Sequence, residues 1–337
     1  MLRSAVLRAV CAAVVSGAAS LKCGAAAAQE PPASVARESL DEAWWTGPLL
    51  AANASTLPQG HLYLEPYLYD SLPYAQFDSS GHGHRVTHED DLGSLTYVNY
   101  GLTDRITVGM LPRFGYDDVP GGASSSGLGI GDLTLQGQYR LTQFHPGDWV
   151  PTIAFNLQET VPTGRYDRLD RASDGFGAGA YTTTASVYSQ TYLWMPNGRI
   201  LRARLNASYA ASSHVSVEDA SVYGTAAGFR GRVVPGSSAY GDLAFEYSVT
   251  DSWVAATDLW YERDAATRLT GSYPQAPDGS PSPVGATLGP GRELIVAPAL
   301  EYNWSARLGV IFGVRLVATG RNETGIVTPV AAISYFR

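Results

Sequence analysis

Polar and apolar residues alternate along residues 96–111, TYVNYGLTDRITVGML, and a period of two is a strand signature that a helix cannot share. Val98, Tyr100 and Leu102 hold one parity before Thr103-Asp104, and Ile106, Val108 and Met110 hold one after it, with Asn99, Arg105 and Thr107 on the other face. Two such runs around a two-residue break read as a β-hairpin. An apolar-out, polar-in hairpin belongs in a membrane and the reverse in a soluble sandwich, so the facing decides the class.

The same test along the chain predicts about twelve strands, near 60–70, 94–102, 105–114, 130–141, 149–160, 177–194, 199–212, 239–250, 252–264, 291–304, 306–318 and 325–337. In GDLTLQGQYRL, for example, Leu133, Leu135, Tyr139 and Leu141 alternate with Asp132, Thr134, Gln136, Gln138 and Arg140. Connections are short at Thr103-Asp104, 142–148, 195–198, 251 and 305. They are long and rich in Gly, Ser, Pro and Asp at 71–93, 115–129, 161–176, 213–238 and 265–290. Short turns at one end and long loops at the other are the pattern of a transmembrane barrel, and an even strand number brings both termini to the short-turn, periplasmic end. Trp149, Trp194, Trp253 and Trp304 all fall beside short turns, where an interfacial girdle is expected. The expected fold is therefore an all-β, antiparallel, up-and-down transmembrane β-barrel, with the apolar parity on lipid and Asn99, Arg105 and Thr107 in the lumen. Closure satisfies every backbone group in hydrocarbon, which an open sheet could not do.

The N-terminus supports export. Arg3 and Arg8 precede an apolar stretch from Ala9 to Ala19, and Ala26-Ala27-Ala28 precede Gln29, so residues 1–28 read as a secretory signal peptide. Residues 29–58 form an N-terminal segment and residues 59–337 the outer-membrane barrel of a Gram-negative cell. Cys11 and Cys23 both lie in the leader, which leaves no thiol for a disulfide or a nucleophile. Loss of Arg3, Arg8 and Lys22 moves the formal net charge from −8 to −11, against nucleic acid as a partner. No run approaches 18 apolar residues, so helical spans are excluded.

Four stretches, WWTGPLLAANASTLPQGHLYLEPYLYD, YVNYGLTDRITVGMLPRFGY, GLGIGDLTLQGQYRL and FNLQETVPTGRYDRL, resemble the outer-membrane proteins of the MetA-pathway phenol-degradation family, often described as transporters. The motifs run from Trp44 to about Leu193; beyond that the resemblance is one of pattern. It implies an outer-membrane barrel that passes aromatic or other hydrophobic small molecules; together with the alternation and the Trp rim, the expectation is a monomeric channel in contact with membrane lipids and lipopolysaccharide. The ending AAISYFR departs from the family's terminal aromatic because Arg337 follows Phe336, which leaves either Ser334/Phe336 or Ile333/Tyr335 toward lipid.

A twelve-strand barrel lies between small barrels filled by side chains and open porins, so a narrow lumen is expected. The polar parity lines it with Glu65, Asn99, Gln136, Gln138, Arg140, Arg202, Arg204, Asn206, Asp242, Glu246, Asp258, Glu262, Glu293, Glu301, Arg307 and Arg315. These charges either orient polar solutes or pair into a salt-bridged closure. Trp44, Trp45, Leu49 and Leu50 are too apolar for a free tail and are expected inside or against the periplasmic mouth as a plug, or else at the membrane surface. His82, His84 and His88 could ligate a transition metal, but their spacing matches no closed site; a solvated loop is expected and no cofactor is assigned. In RYDRLDRASDG, Asp167, Asp170 and Asp174 could hold calcium, although Arg165, Arg168 and Arg171 favour contact with lipopolysaccharide phosphates instead. An enzyme would need a Ser-His pair; His214 beside Ser212 and Ser213 is the one loose candidate, with no G-x-S-x-G elbow.

Overall fold

The structure, a computed structural model, describes residues 36–274 and 282–337. The leader and both cysteines lie outside the described residues.

Twelve antiparallel strands close into one barrel. They are β1 (Leu62–Phe77), β2 (Asp90–Thr103), β3 (Ile106–Leu111, continued by Arg113–Asp118), β4 (Leu133–Thr142), β5 (Thr152–Val161) and β6 (Thr182–Trp194). There follow β7 (Ile200–Ser212), β8 (Ser238–Ser248), β9 (Trp253–Asp264), β10 (Gly291–Ser305), β11 (Leu308–Arg321) and β12 (Thr324–Phe336). Each strand pairs with its sequence neighbour, and β1 pairs with both β2 and β12, in register from Tyr63↔Phe336 to Gln76↔Thr324 on the closing seam. The strand interruption in β3 falls at Pro112, which has no N–H to give to the ladder.

Parity decides the facing, as the alternation implies. Along β7 the odd residues Leu205 and Tyr209 are exposed, whereas Arg202, Arg204, Asn206 and Ser208 are buried. Outside are Leu68, Val108, Met110, Leu135, Tyr139, Phe155, Leu157, Leu259, Leu300 and Phe312; inside are Glu65, Thr107, Asn156, Asp258 and Glu301. Buried polar and exposed apolar side chains are the inverse of a water-soluble core. β12 resolves its own ambiguity. Ile333 and Tyr335 point outward, Ser334 is buried, and Phe336 stacks on His61 at 5.1 Å between centroids.

Four expectations at the periplasmic rim need correction. The first turn is Asp104-Arg105, not Thr103-Asp104, so Arg105 is exposed in the turn rather than lumenal. Arg307 likewise lies exposed in turn 306–307, because β10 continues to Ser305 and β11 starts only at Leu308. Trp194 belongs to the inward parity of β6, paired with fully buried Ile200. Its indole N–H donates to the Glu38 carbonyl, so it is no lipid-facing girdle residue. Trp253 and Trp304 do face outward and sandwich Tyr302, at 4.8 and 5.2 Å. Trp149 is 89% exposed in the connection before β5 rather than at the strand start.

The long loops are also more ordered than their composition suggests. Residues 213–237 and 265–290 contain Val215–Glu218, Arg230–Val234, Thr267–Tyr273 and Ser282–Leu288, which form a separate four-stranded antiparallel sheet. Its inner face buries Val215, Val217, Phe229 and Val233 against Ala180, Tyr166 and Tyr223. In loop 162–181, Asp174 accepts from the Ser126 amide and hydroxyl, which hold its carboxyl below the usual range. Asp167 accepts the Glu218 amide, and Arg168 pairs with Glu218 at 2.6 Å. These carboxylates staple the loop and do not converge on a common point.

Leu259 sits mid-strand on the outer face of β9. Leu259→Arg is expected to lower stability in lipid vesicles by about 2–4 kcal/mol, read from urea titrations of heat-modifiable migration. An unchanged midpoint would contradict the outward assignment of this parity.

Candidate functional site in the barrel lumen

The lumen has two unlike walls. Inward positions of β3 to β8 carry amides, hydroxyls and charges: Thr107, Gln136, Gln138, Asn156, Gln158, Gln190, Arg202, Arg204, Asn206, Asp242 and Glu246. Inward positions of β9 to β12 and β1 carry mostly small or aliphatic residues: Ala256, Ala297, Ala299, Ile311, Val330 and Ala332, with Tyr67. Buried Glu65, Asp258 and Glu301 interrupt this second wall, as do the half-buried Glu262, Glu293 and Arg315.

Residues 44–57 run between these walls, and their backbone is bonded to side chains that point inward. The Trp44 carbonyl accepts from Asn303 Nδ2 at 3.1 Å, and the Thr46 amide donates to Glu301 Oε2 at 2.6 Å. The amides of Leu49, Leu50 and Ala51 all donate to the Asp258 carboxylate, at 3.1, 3.3 and 2.9 Å. The Ala51 carbonyl accepts from Arg204 Nη1 at 2.6 Å and that of Ala52 from Asn206 Nδ2 at 3.0 Å. Gln138 Nε2 donates to the carbonyls of Asn53 and Ser55, and the Leu57 amide donates to Thr107 Oγ1. A non-helical, non-sheet backbone in a buried place needs such partners one by one.

Side chains of the segment sort by wall. Leu49 and Leu50 join the apolar cluster with Ala297, Ile311 and Val330, whereas the Arg202 guanidinium lies 4.5 Å over the Trp45 ring. Arg202 donates through Nε and Nη2 to Glu246, and Arg204 Nε lies 3.1 Å from Glu246 Oε2. One buried carboxylate is thus shared by two guanidiniums, with Glu301 bonded to the segment nearby. Before entering the barrel, Glu38 meets Arg199 at 2.8 Å and accepts from the Ser248 hydroxyl at 2.5 Å. Arg199 also contacts Asp251, and these two carboxylates hold its guanidinium above its usual range.

Most of the polar-parity residues expected in the lumen are there. Glu65, Asn99, Gln136, Gln138, Arg202, Arg204, Asn206, Asp242, Glu246, Asp258, Glu262, Glu293, Glu301 and Arg315 all occupy inward positions. Arg140 is inward but only part-buried at the rim, its amide bonded to the Arg105 carbonyl. Arg307 is absent from this surface, as above.

Two groups were not singled out by the sequence. The Tyr67, Tyr97, Tyr188, Tyr240 and Trp260 rings also face inward, with Tyr240 and Trp260 stacked at 4.1 Å and Tyr67 edge-on to Tyr97 at 5.9 Å. Inward glycines clear room for the segment: a Cβ at Gly101 would collide with the Pro58 carbonyl, and one at Gly309 with the Thr46 hydroxyl. Parity alone could have flagged the rings, since Tyr67 lies two residues from Glu65 and Trp260 two from Asp258.

Other sequence candidates do not assemble. His82 and His84 both approach Asp78, at 3.8 and 3.0 Å, while His88 pairs separately with Asp90 at 3.3 Å. His214 is exposed; the Ser213 hydroxyl accepts the Tyr181 amide and the Ser212 hydroxyl bonds Thr182. A concavity of about 700 Å³ between β3 and β7 is lined by Tyr139, Phe155, Leu157, Val187 and Tyr209, and so belongs to the outer, lipid-side surface.

Replacing Asp258 by Ala leaves three amides without their acceptor, each worth about 1–3 kcal/mol when buried. Asp258→Ala should therefore raise deuterium exchange at residues 49–51 while the strand amides of β9 stay protected; unchanged exchange at 49–51 would refute the anchoring role. Glu323, in the turn at residues 322–323, is pushed up to about 7 by burial, reinforced by Asp264, Glu293 and Glu262. Its folded pKa is raised, so the folded chain holds the proton more tightly. That stability is present below the ordinary carboxylate pKa and is lost as pH rises through about 7. The wild type should unfold at lower denaturant at pH 8 than at pH 6, and Glu323→Gln should shrink that difference.

Among solved structures, the fold is similar to the COG4313 outer membrane channel from Pseudomonas putida F1, at 15% identity over 85% of this chain and 98% of that one, with a TM-score of 0.61. Looser likenesses are the β domain of the Bordetella autotransporter BrkA, at 12% identity, 82% and 99% coverage and a TM-score of 0.44, and a deltaS2 mutant of the TodX monoaromatic hydrocarbon channel, at 11%, 83%, 90% and 0.39. A comparison with curated proteins returned no match. The model of the family described as "Putative MetA-pathway of phenol degradation" matches residues 70–325, most of the barrel, and the chain belongs to that family.

Proposed function

We propose that this protein is an outer-membrane channel for small aromatic or hydrophobic compounds and that residues 44–57 restrict its periplasmic side. The observation that carries the reading is the pairing of a wall rich in hydrogen-bonding groups with an apolar one, topped by inward Tyr97, Tyr240 and Trp260. An aromatic solute with one polar substituent matches such a surface: its face stacks on rings and its hydroxyl finds donors and acceptors. The family description and the channel fold of the Pseudomonas putida relative agree with this. Export by the leader, monomeric state and contact with lipopolysaccharide belong to the same proposal.

A second reading, a sealed structural barrel, is favoured by the Arg202–Glu246–Arg204 cluster and the many bonds to residues 44–57. The two separate in liposomes. Deletion of residues 29–55 should raise phenol flux several-fold over the intact barrel without preventing heat-modifiable assembly. Equal flux through intact and deleted barrels would reduce the segment to an anchor, and no flux through either would favour the sealed barrel.

A further inference from the structure

Three arginines stand side by side on the outer surface. Arg263 of β9 is the register partner of Arg292 of β10, and Arg292 is the partner of Arg321 of β11. All three are exposed and point away from the lumen, because the adjacent Glu262, Glu293 and Gly320 hold the inward parity. Like charges directly opposite on neighbouring strands repel. Among the described residues none of the three makes an ion pair; Glu262, Asp264 and Glu293 belong to the inner face, and Arg321 lies along Gly81 of the first loop, whose Asp78 carboxylate is taken by His82 and His84.

Height explains where this charge would be useful. Arg263 lies ten residues along β9 from Trp253, and Arg292 ten residues along β10 from Tyr302, two of the aromatic residues of the lower rim. At about 3.3 Å per residue and a tilt of about 40°, that is roughly 25 Å of vertical rise, the height of a barrel's apolar band. The row directly beneath the arginines is Tyr261, Leu294 and Thr319, an aromatic, an aliphatic and a hydroxyl. The arginines therefore stand where hydrocarbon ends and outer-leaflet head groups begin.

We propose that Arg263, Arg292 and Arg321 form a binding site for the phosphate groups of an anionic outer-leaflet glycolipid. Guanidinium groups grip phosphate oxygens through paired donors, and a multiply charged head group bridging three strands removes the repulsion of the bare row. The seat is fixed by sheet register rather than by a loop, so the lipid would be held at one place on the barrel wall. This inference does not rest on solute passage.

The test is native mass spectrometry of the detergent-purified barrel with three probes: bisphosphorylated lipid A, the same lipid with both phosphates removed, and inorganic phosphate as competitor. Wild type should hold the phosphorylated lipid about tenfold more tightly than the dephosphorylated one, with millimolar phosphate failing to displace it. The triple variant Arg263→Gln/Arg292→Gln/Arg321→Gln should bind both lipids alike, whereas Arg307→Gln at the opposite rim should behave as wild type. Equal binding of the two lipids by wild type, or undiminished preference in the triple variant, would overturn the proposal; displacement by inorganic phosphate would reassign the row to the free anion. If the triple variant fails to show heat-modifiable migration, the single Arg292→Gln change at the centre of the row serves, and must by itself reduce the preference several-fold.

Discussion

The Asp258 carboxylate, accepting the amides of Leu49, Leu50 and Ala51, is the interaction around which the interior is arranged. A strand ladder supplies its own partners, but a segment that is neither helix nor strand brings every N–H and C=O into the barrel unpaired. The lumen answers with side chains at fixed heights on different strands. Thr107, Gln138, Arg204, Asn206, Asp258 and Glu301 each meet a specific backbone atom of residues 46–57. Much of the polar parity that marks the sequence as a membrane barrel is therefore occupied with the chain's own backbone.

The buried charges follow from the same arrangement. A lone guanidinium in a closed interior is costly, so Arg202 and Arg204 share Glu246, and each gains a further contact from the segment: the Trp45 ring for one, the Ala51 carbonyl for the other. The apolar wall then gives Leu49 and Leu50 a place away from water. That wall also takes part of the backbone, through Asp258, Glu301 and Asn303, while Thr107, Gln138, Arg204 and Asn206 across the lumen take the rest.

How much of this could be read beforehand depends on which physical signal carried it. Facing was legible at Gln136, Gln138 and Arg202 because a period of two has only two phases, and one phase was greasy for ten residues. Boundaries were less so. Arg105 and Arg307 share the lumenal parity in sequence yet lie in turns, since a strand ends where hydrogen bonding stops rather than where alternation does. Trp194 was placed by its height on the barrel, but height says nothing of phase, and its phase points in. The outer sheet escaped notice because Val215 and Val217 alternate over only four residues within a loop of turn-forming composition. Residues 44–57 have no period at all, so their path emerges only through partners distant in sequence, such as Thr46 with Glu301 and Leu49 with Asp258.

The contacts that hold the segment differ in kind from those that hold the barrel, and this sets what can move. Strand-to-strand bonds close a ring in which no edge is free, so opening one requires opening its neighbours. The segment's bonds run to a few inward side chains, Asp258 taking three of them, and are worth about 0.5–1.5 kcal/mol each to neutral partners and about 1.5–3 kcal/mol to charged ones. Buried Leu49 adds about 1.5–3 kcal/mol and half-buried Leu50 less. Release of the segment thus breaks side-chain contacts only, while the wall around it stays intact. Gly101 and Gly309 fit the same division: they make space for the segment but contribute no side chain to the wall, so an empty passage would keep its full width at those two places.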